Sequence, residues 1–269
     1  TMYPALVAYH EWLYAERDPH IEGLVLQIHP YETGLDNTPP WINQLRMHHT
    51  PWWAKVLQFT HLDVAIDLVR RDTRHVPPGQ RMSNIEALLY YDVIRRLRRK
   101  QYNTDNILSR SLFAVEDLTF NCVLVRANHQ LKVIAKTINR EPPDTLKLRM
   151  EKTNDALEQL WDGYAGQYYS RNFVTHKLIK ESSIATLMPL YAGSITKERA
   201  EQLVKLLHDK HQFGAAFPVP SVPLNSDWFK PHGYWQGPTW LNTNWLVIEG
   251  LKQYGFKEEA ELVKQKSLE

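Results

Sequence analysis

The chain has 269 residues, 43% hydrophobic and 23% charged, with a formal net charge of +2. That length is enough for one sizeable core without splitting into domains. The near-neutral charge excludes the strong field that draws proteins to nucleic acid or anionic lipid. The single cysteine, Cys122, excludes an internal disulfide. It falls in an apolar helical stretch and is expected to be a core residue. No run is long and apolar enough to span a membrane, and no signal peptide opens the chain. A cytoplasmic protein of one domain, residues 1–269, is the expectation.

In chain order the dominant pattern is helical. Residues 3–17 place Leu6, Tyr9, His10 and Leu13 on one face. Residues 29–41 then read HPYETGLDNTPPW, with Gly34 and the Pro39-Pro40 pair as punctuation. Glycine permits backbone angles that other residues avoid, and proline forbids helix continuation. The loop therefore presents Glu32 and Asp36 on irregular backbone beside Tyr31, Asn37 and Trp41. A carboxyl beside aromatic rings has its pKa raised by desolvation, as a general acid requires. The competing reading makes Asp36 or Asn37 a helix cap.

Further along, Ser83 and Glu86 have capping-box spacing and open a helix to about residue 100. Its basic end, RRLRRK at 95–100, reads as a solvated helix terminus facing the dipole. An amphipathic helix is expected from Val115 to Ile138, and another from Asp144 or Thr145 to Trp161. QYYSRNFVTHKLI at 167–179 suggests a small β-hairpin. Thr196 caps the helix KERAEQLVKLLHDKH. The last helices run from Trp240 to Tyr254, with Gly255 as stop, and from near Lys257 onward. Long helices joined alternately by short turns and long aromatic loops suggest an all-α fold, an α/α toroid of helical hairpins. The first and last helices run straight to the ends of the chain, as if cut from a longer toroid.

Residues 234–245, YWQGPTWLNTNW, form the second distinctive loop. Aromatic faces beside amides suit sugars, whose CH-rich faces stack on rings and whose hydroxyls bond to Gln and Asn. Tyr234, Trp235 and Trp240 at the loop-to-helix junction fit that role. Trp245, followed by LVIEGL, reads better as a core residue.

Together the two loops resemble the HPWESGxDNSPxW and YWRGPxWxxxNW segments of bacterial family sixty-three α-glucosidases and the related mannosylglycerate hydrolases. HEWLYAERDP, FAVEDLTFNCVLVRAN, LMPLYAGSIT and FPVPSVPLNSDWF agree, in order, across nearly the whole chain. The resemblance implies the six-hairpin toroid and hydrolysis of a small α-glucoside or α-mannoside with inversion. It implies Asp36 as general acid. It puts Tyr31, Glu32, Asn37, Trp41, Tyr234, Trp235, Gln236, Gly237 and Trp240 at the substrate, although Glu32 also reads as a loop brace. Gln236 and Asn43 depart from the family, where Arg and an acid are common. Asp117 also matches a family pattern, with a helix-start cap as the alternative. The family's general base follows the next helix, beyond Glu269. A small carbohydrate is the implied partner, and no cofactor is expected.

The 12 histidines invite a metal reading. Neither His48-His49 nor the His208/His211 pair comes with a third ligand, so surface histidines are the expectation. A sugar epimerase on the same toroid and a non-catalytic carbohydrate-binding domain are the alternative functions.

Overall fold

The computed structural model describes residues 2–49, 56, 59, 70–72, 75–77, 79–109 and 111–269, with backbone alone at 46–49. Its helices are α1 Met2–Arg17, α2 Pro39–His49, α3 Asn84–Arg99, α4 Thr104–Leu108, α5 Leu118–Thr137, α6 Asp144–Ala156, α7 Pro189–Ala192, α8 Lys197–His208, α9 Leu241–Gln253 and α10 Lys257–Leu268. Neighbouring helices pack pairwise, with α9 on both α10 and α7, and α5 on α1, α6 and α7. The predominantly helical hairpin architecture is the α/α type expected.

Local sequence sets the helix starts. Ser83 accepts from the Glu86 N–H while Glu86 reaches back to the Ser83 N–H, completing the predicted capping box of α3. Thr196 caps α8 through the Arg199 N–H. At the basic end of α3, Arg95 and Arg96 both turn back onto the buried carboxylate of Asp92.

Some boundaries differ from the expectation. The helix from Asp144 tightens into a 3-10 turn at Leu157–Leu160 and gives way to strand β2, Trp161–Asp162. Asp162 accepts the Tyr164 and Ala165 N–H groups and turns the chain into β3, Gln167–Tyr168, which pairs back with β2. The 167–179 segment is thus divided. Its β4, Arg171–Asn172, pairs with β1, Val115–Glu116, and also folds back on 177–179 as a small hairpin. The hairpin is held by the Arg171–Leu178 bridge and by bonds from the Asn172 N–H to the Lys177 carbonyl and from the Ile179 N–H to the Ser170 carbonyl. On α1 the buried face carries His10, Leu13 and Tyr14, and Tyr9 is exposed, stacked on Trp12. Trp245 is also a correction: it is 55% exposed beside Tyr191, because the face of α9 that packs inward carries Thr243, Asn244, Val247 and Ile248.

Two hydrophobic clusters frame the loop at 29–41. One gathers Leu24, Leu35, Leu118, Cys122 and Trp235; the other gathers Leu26, Trp41, Tyr90, Phe113 and Val115. Cys122 is buried, as expected. The segment leading into the loop is held on α5 by Asn121, whose amide accepts the Val25 N–H and donates to the Val25 carbonyl, as a peptide partner would. The Gln27 main chain bridges Val115, and its side-chain oxygen accepts the Asp117 N–H. Beneath it, Arg171 donates to Glu116, Glu22 and Gln159, a buried ion network whose removal in part would strand an unpaired charge.

Asp117 is the N-cap of α5. One oxygen accepts the Phe120 N–H at 2.8 Å and the other the Ser170 hydroxyl at 3.3 Å. It is fully buried, and that desolvation raises its carboxyl from 3.8 to about 7. A carboxyl raised by folding stabilises the folded state fully below its unfolded pKa, and that contribution is lost as pH rises through the folded one. Asp117→Asn keeps an acceptor for the cap and removes the titration. Thermal melts should therefore show the wild-type Tm declining relative to the variant between about pH 4 and about pH 7.

Candidate active site

The loop at 29–41 opens with a 3-10 turn, Pro30–Thr33, started by His29 and ended by Gly34 at φ 75°. Only glycine takes that angle without strain. The Thr33 hydroxyl donates to the Pro30 carbonyl and accepts both the Leu35 N–H and the Trp41 indole N–H. Glu32 is tied at both oxygens, one by Arg17 at 2.7 Å and one by the Ile28 N–H at 2.8 Å. It braces the loop.

The loop at 234–240 lies directly against it. The Asn37 side-chain oxygen accepts the Trp235 N–H at 2.8 Å, and the Asn37 carbonyl accepts the Gln236 side-chain amide at 2.9 Å. The Tyr234 hydroxyl donates to Asp36 Oδ2 at 3.0 Å. Asp36 and Asn37 therefore both face the second loop and neither caps α2, which disposes of the capping alternative. Gly237 is required by close approach: a Cβ there would stand 2.0 Å from the Lys230 carbonyl oxygen. Its N–H donates to Ser221.

Asp36 is half-buried. Desolvation raises its carboxyl above the ordinary range, opposed by the Tyr234 hydrogen bond and by the positive charge of Arg81. Arg81 lies over the Tyr234 ring, 4.9 Å from its centroid. The same two residues, with His232, Pro238, Thr239 and Trp240, line a cavity of about 390 Å³. Tyr234 is thus the wall between that cavity and the carboxyl. Trp240 stacks on Trp235 at 4.7 Å and donates its indole N–H to the Tyr234 carbonyl. The buried indole N–H of Trp235 has no partner among the described residues.

The structure thus brings together Asp36, Asn37, Tyr234, Trp235, Gln236, Gly237 and Trp240. Tyr31 stands nearby, half-exposed, with its hydroxyl raised by burial and by the Asp36 charge. Trp41 is a correction. It is fully buried with its edge against Phe113, so no face is open to a sugar ring. Asn43 donates to Glu181, a carboxyl raised by desolvation and contributed by a distant segment. Sequence reasoning missed Tyr90, whose hydroxyl donates to the Asp36 carbonyl, and Arg81. Tyr90 falls on the apolar stripe of α3, where it looks like any core aromatic, and Arg81 follows a turn with no helical or strand period. The described residues contain no cluster of metal-ligating side chains; the side chains of His48 and His49 lie outside them.

Removing the Tyr234 donor removes a group that holds the Asp36 carboxyl down. In Tyr234→Phe, ¹³C-carboxyl NMR should therefore show Asp36 titrating at still higher pH than in wild type. Trp41→Ala should instead register as a core defect, costing about 3–5 kcal/mol in chemical denaturation.

The whole chain, residues 1–269, matches the model of the mannosylglycerate hydrolase MGH1-like glycoside hydrolase domain. It is 35% identical to the mannosylglycerate hydrolase of Thermus thermophilus over 99% of its own length and 61% of that protein's. It is 26% identical to the glucosylglycerate hydrolase of Mycolicibacterium hassiacum over 98% of the chain and 58% of that protein. A crystal structure of the Thermus thermophilus mannosylglycerate hydrolase in complex with Tris and D-glycerate superposes with a TM-score of 0.86 at 34% identity, covering 99% of this chain and 61% of that one. The chain spans less than two thirds of the length of these relatives. It belongs to the mannosylglycerate hydrolase MGH1-like glycoside hydrolases, with the α/α toroid of that family.

Proposed function

We propose that this protein hydrolyses a small α-glycoside of a hydroxy acid, of the mannosylglycerate or glucosylglycerate type, with inversion at the anomeric carbon. The observation that carries the reading is the half-buried Asp36 carboxyl, raised by desolvation and bonded to Tyr234 on the wall of an aromatic cavity. Asp36 stays protonated to higher pH than an ordinary aspartate, as a proton donor to the leaving oxygen must. Trp240 and Tyr234, which line the cavity, give the sugar ring flat faces. Arg81, beside the cavity and near Asp36, supplies the positive charge that an acidic aglycone needs. The bound D-glycerate in the relative's structure supports the same aglycone class.

Inversion requires a second carboxylate about 6.5–9.5 Å from the acid to activate water. Glu249 and Glu261 are paired with Lys252 and Lys264 on helices α9 and α10, and Glu259 lies beside His208. The reading gives residues 1–269 the acid and assigns the base to none of these paired carboxylates.

Asp36→Asn in the full-length protein should lower kcat on mannosylglycerate or glucosylglycerate by about 10²–10⁴-fold. Polarimetry or NMR of the first product should show the inverted anomer. Full turnover by Asp36→Asn, or a retained anomer, would sink the reading. Sugar binding without turnover in the wild-type full-length protein would favour the binding-domain alternative.

A further inference from the structure

The acid loop is held at its two ends by one residue that lies outside it. Tyr90, on α3, is fully buried. Its hydroxyl donates to the main-chain carbonyl of Asp36, and its own main-chain carbonyl lies 3.2 Å from His29 Nε2. Main-chain donors and acceptors are fixed, so they set the tautomer of His29. The Tyr31 N–H can only donate, at 3.1 Å, to His29 Nδ1, which must carry the lone pair. The Tyr90 carbonyl can only accept, so Nε2 must carry the proton. The ring is therefore neutral, and burial lowers its pKa in the same sense. Edge contacts complete the fixture: the Tyr90 ring meets His29 at 5.5 Å and Tyr31 at 5.1 Å, both near perpendicular.

We infer that Tyr90 is a positioning residue that latches the acid loop to α3, through its hydroxyl at Asp36 and its carbonyl at His29. The inference rests on the reading of Asp36 as the proton donor. The latch acts on the backbone of Asp36, whereas Tyr234 acts on its carboxyl, so the two constrain the acid at separate points. A proton donor held at main chain and side chain keeps one position relative to the cavity wall, and misplacement by about 1 Å is enough to cost about 10²-fold in rate.

The variants separate these roles. Tyr90→Phe removes the bond to the Asp36 carbonyl and keeps the ring. His29→Asn retains a side-chain acceptor for the Tyr31 N–H, as in an Asx-turn, but is too short to reach Tyr90. Tyr91→Phe, on the exposed side of α3, is the control. In the full-length protein, Tyr90→Phe should lower kcat by about tenfold to a hundredfold with KM within about twofold. The double variant Tyr90→Phe/His29→Asn should fall about as far as the worse single one, because both act through one loop. A Tyr90→Phe enzyme that melts earlier but keeps its kcat overturns the latch. A second measurement does not depend on turnover: ¹³C-carboxyl NMR of Asp36. Its titration midpoint should rise in Tyr90→Phe, because a released Asp36 backbone loosens the Tyr234 hydrogen bond that holds the carboxyl down, and stay put in Tyr91→Phe. An unmoved midpoint in Tyr90→Phe overturns the latch even if the enzyme is active. A moved midpoint without hydrolysis by the wild type supports the latch and removes the glycosidase reading alone.

Discussion

The site depends on the clamp between Asn37 and the loop at 234–240. One side chain and one carbonyl of Asn37 take the Trp235 N–H and the Gln236 amide from a segment almost 200 residues away. Loop closure of that span is an entropic cost that two hydrogen bonds do not offset. The helical hairpins do so by burying the clusters on either side, and the clamp then selects one register between two loops already brought close. Asn37, Trp235 and Gln236 are almost wholly buried, so the bonds form away from competing water. Without the Asn37 side-chain oxygen, the buried Trp235 N–H would be left unsatisfied.

The clamp also reassigns residues. Gln236 stands where Arg is common in the resembling family. Here its amide ends on a main-chain carbonyl, a contact to a single acceptor that a guanidinium fork is not required to make. The positive charge near Asp36 comes instead from Arg81, delivered over the face of Tyr234 by a different segment. Tyr234 packs against both hydrophobic clusters and lines the cavity while bonding the acid. A change in the aromatic wall is thereby transmitted to the Asp36 carboxyl by direct contact.

The sequence made the helices legible because capping and periodicity are local. Ser83–Glu86 and Thr196 could be read directly, and the structure has them as read. The contents of the site were legible from two long motifs, but the division of labour among their residues was not. Trp41 and Trp235 look alike in sequence. One is sealed against Phe113, and the other stacks on Trp240, which lines the cavity. Tyr90 gave no signal at all, because a positioning residue on a helix has the same period as a core residue. Trp245 misled in the opposite direction: an apolar run followed it, yet the helix turns that ring outward.

Perturbed acidity alone would favour Asp117 over Asp36, the proposed acid. Perturbed pKa values concentrate at functional sites. By that measure Asp117, raised to about 7, is a stronger candidate than Asp36. Access decides between them. Asp117 has no exposed surface, and its two oxygens are committed to the Phe120 N–H and the Ser170 hydroxyl. A proton leaving it has nowhere to go but the core, so its burial is the consequence of capping α5 inside the toroid. Asp36 is only half-buried, uses one oxygen on Tyr234, and sits behind the wall of an open cavity. Desolvation acts on both carboxyls in the same direction. The difference that favours Asp36 as the proposed acid is partial exposure: one of its oxygens is taken by Tyr234, a residue that itself lines the cavity, whereas Asp117 is sealed in the core.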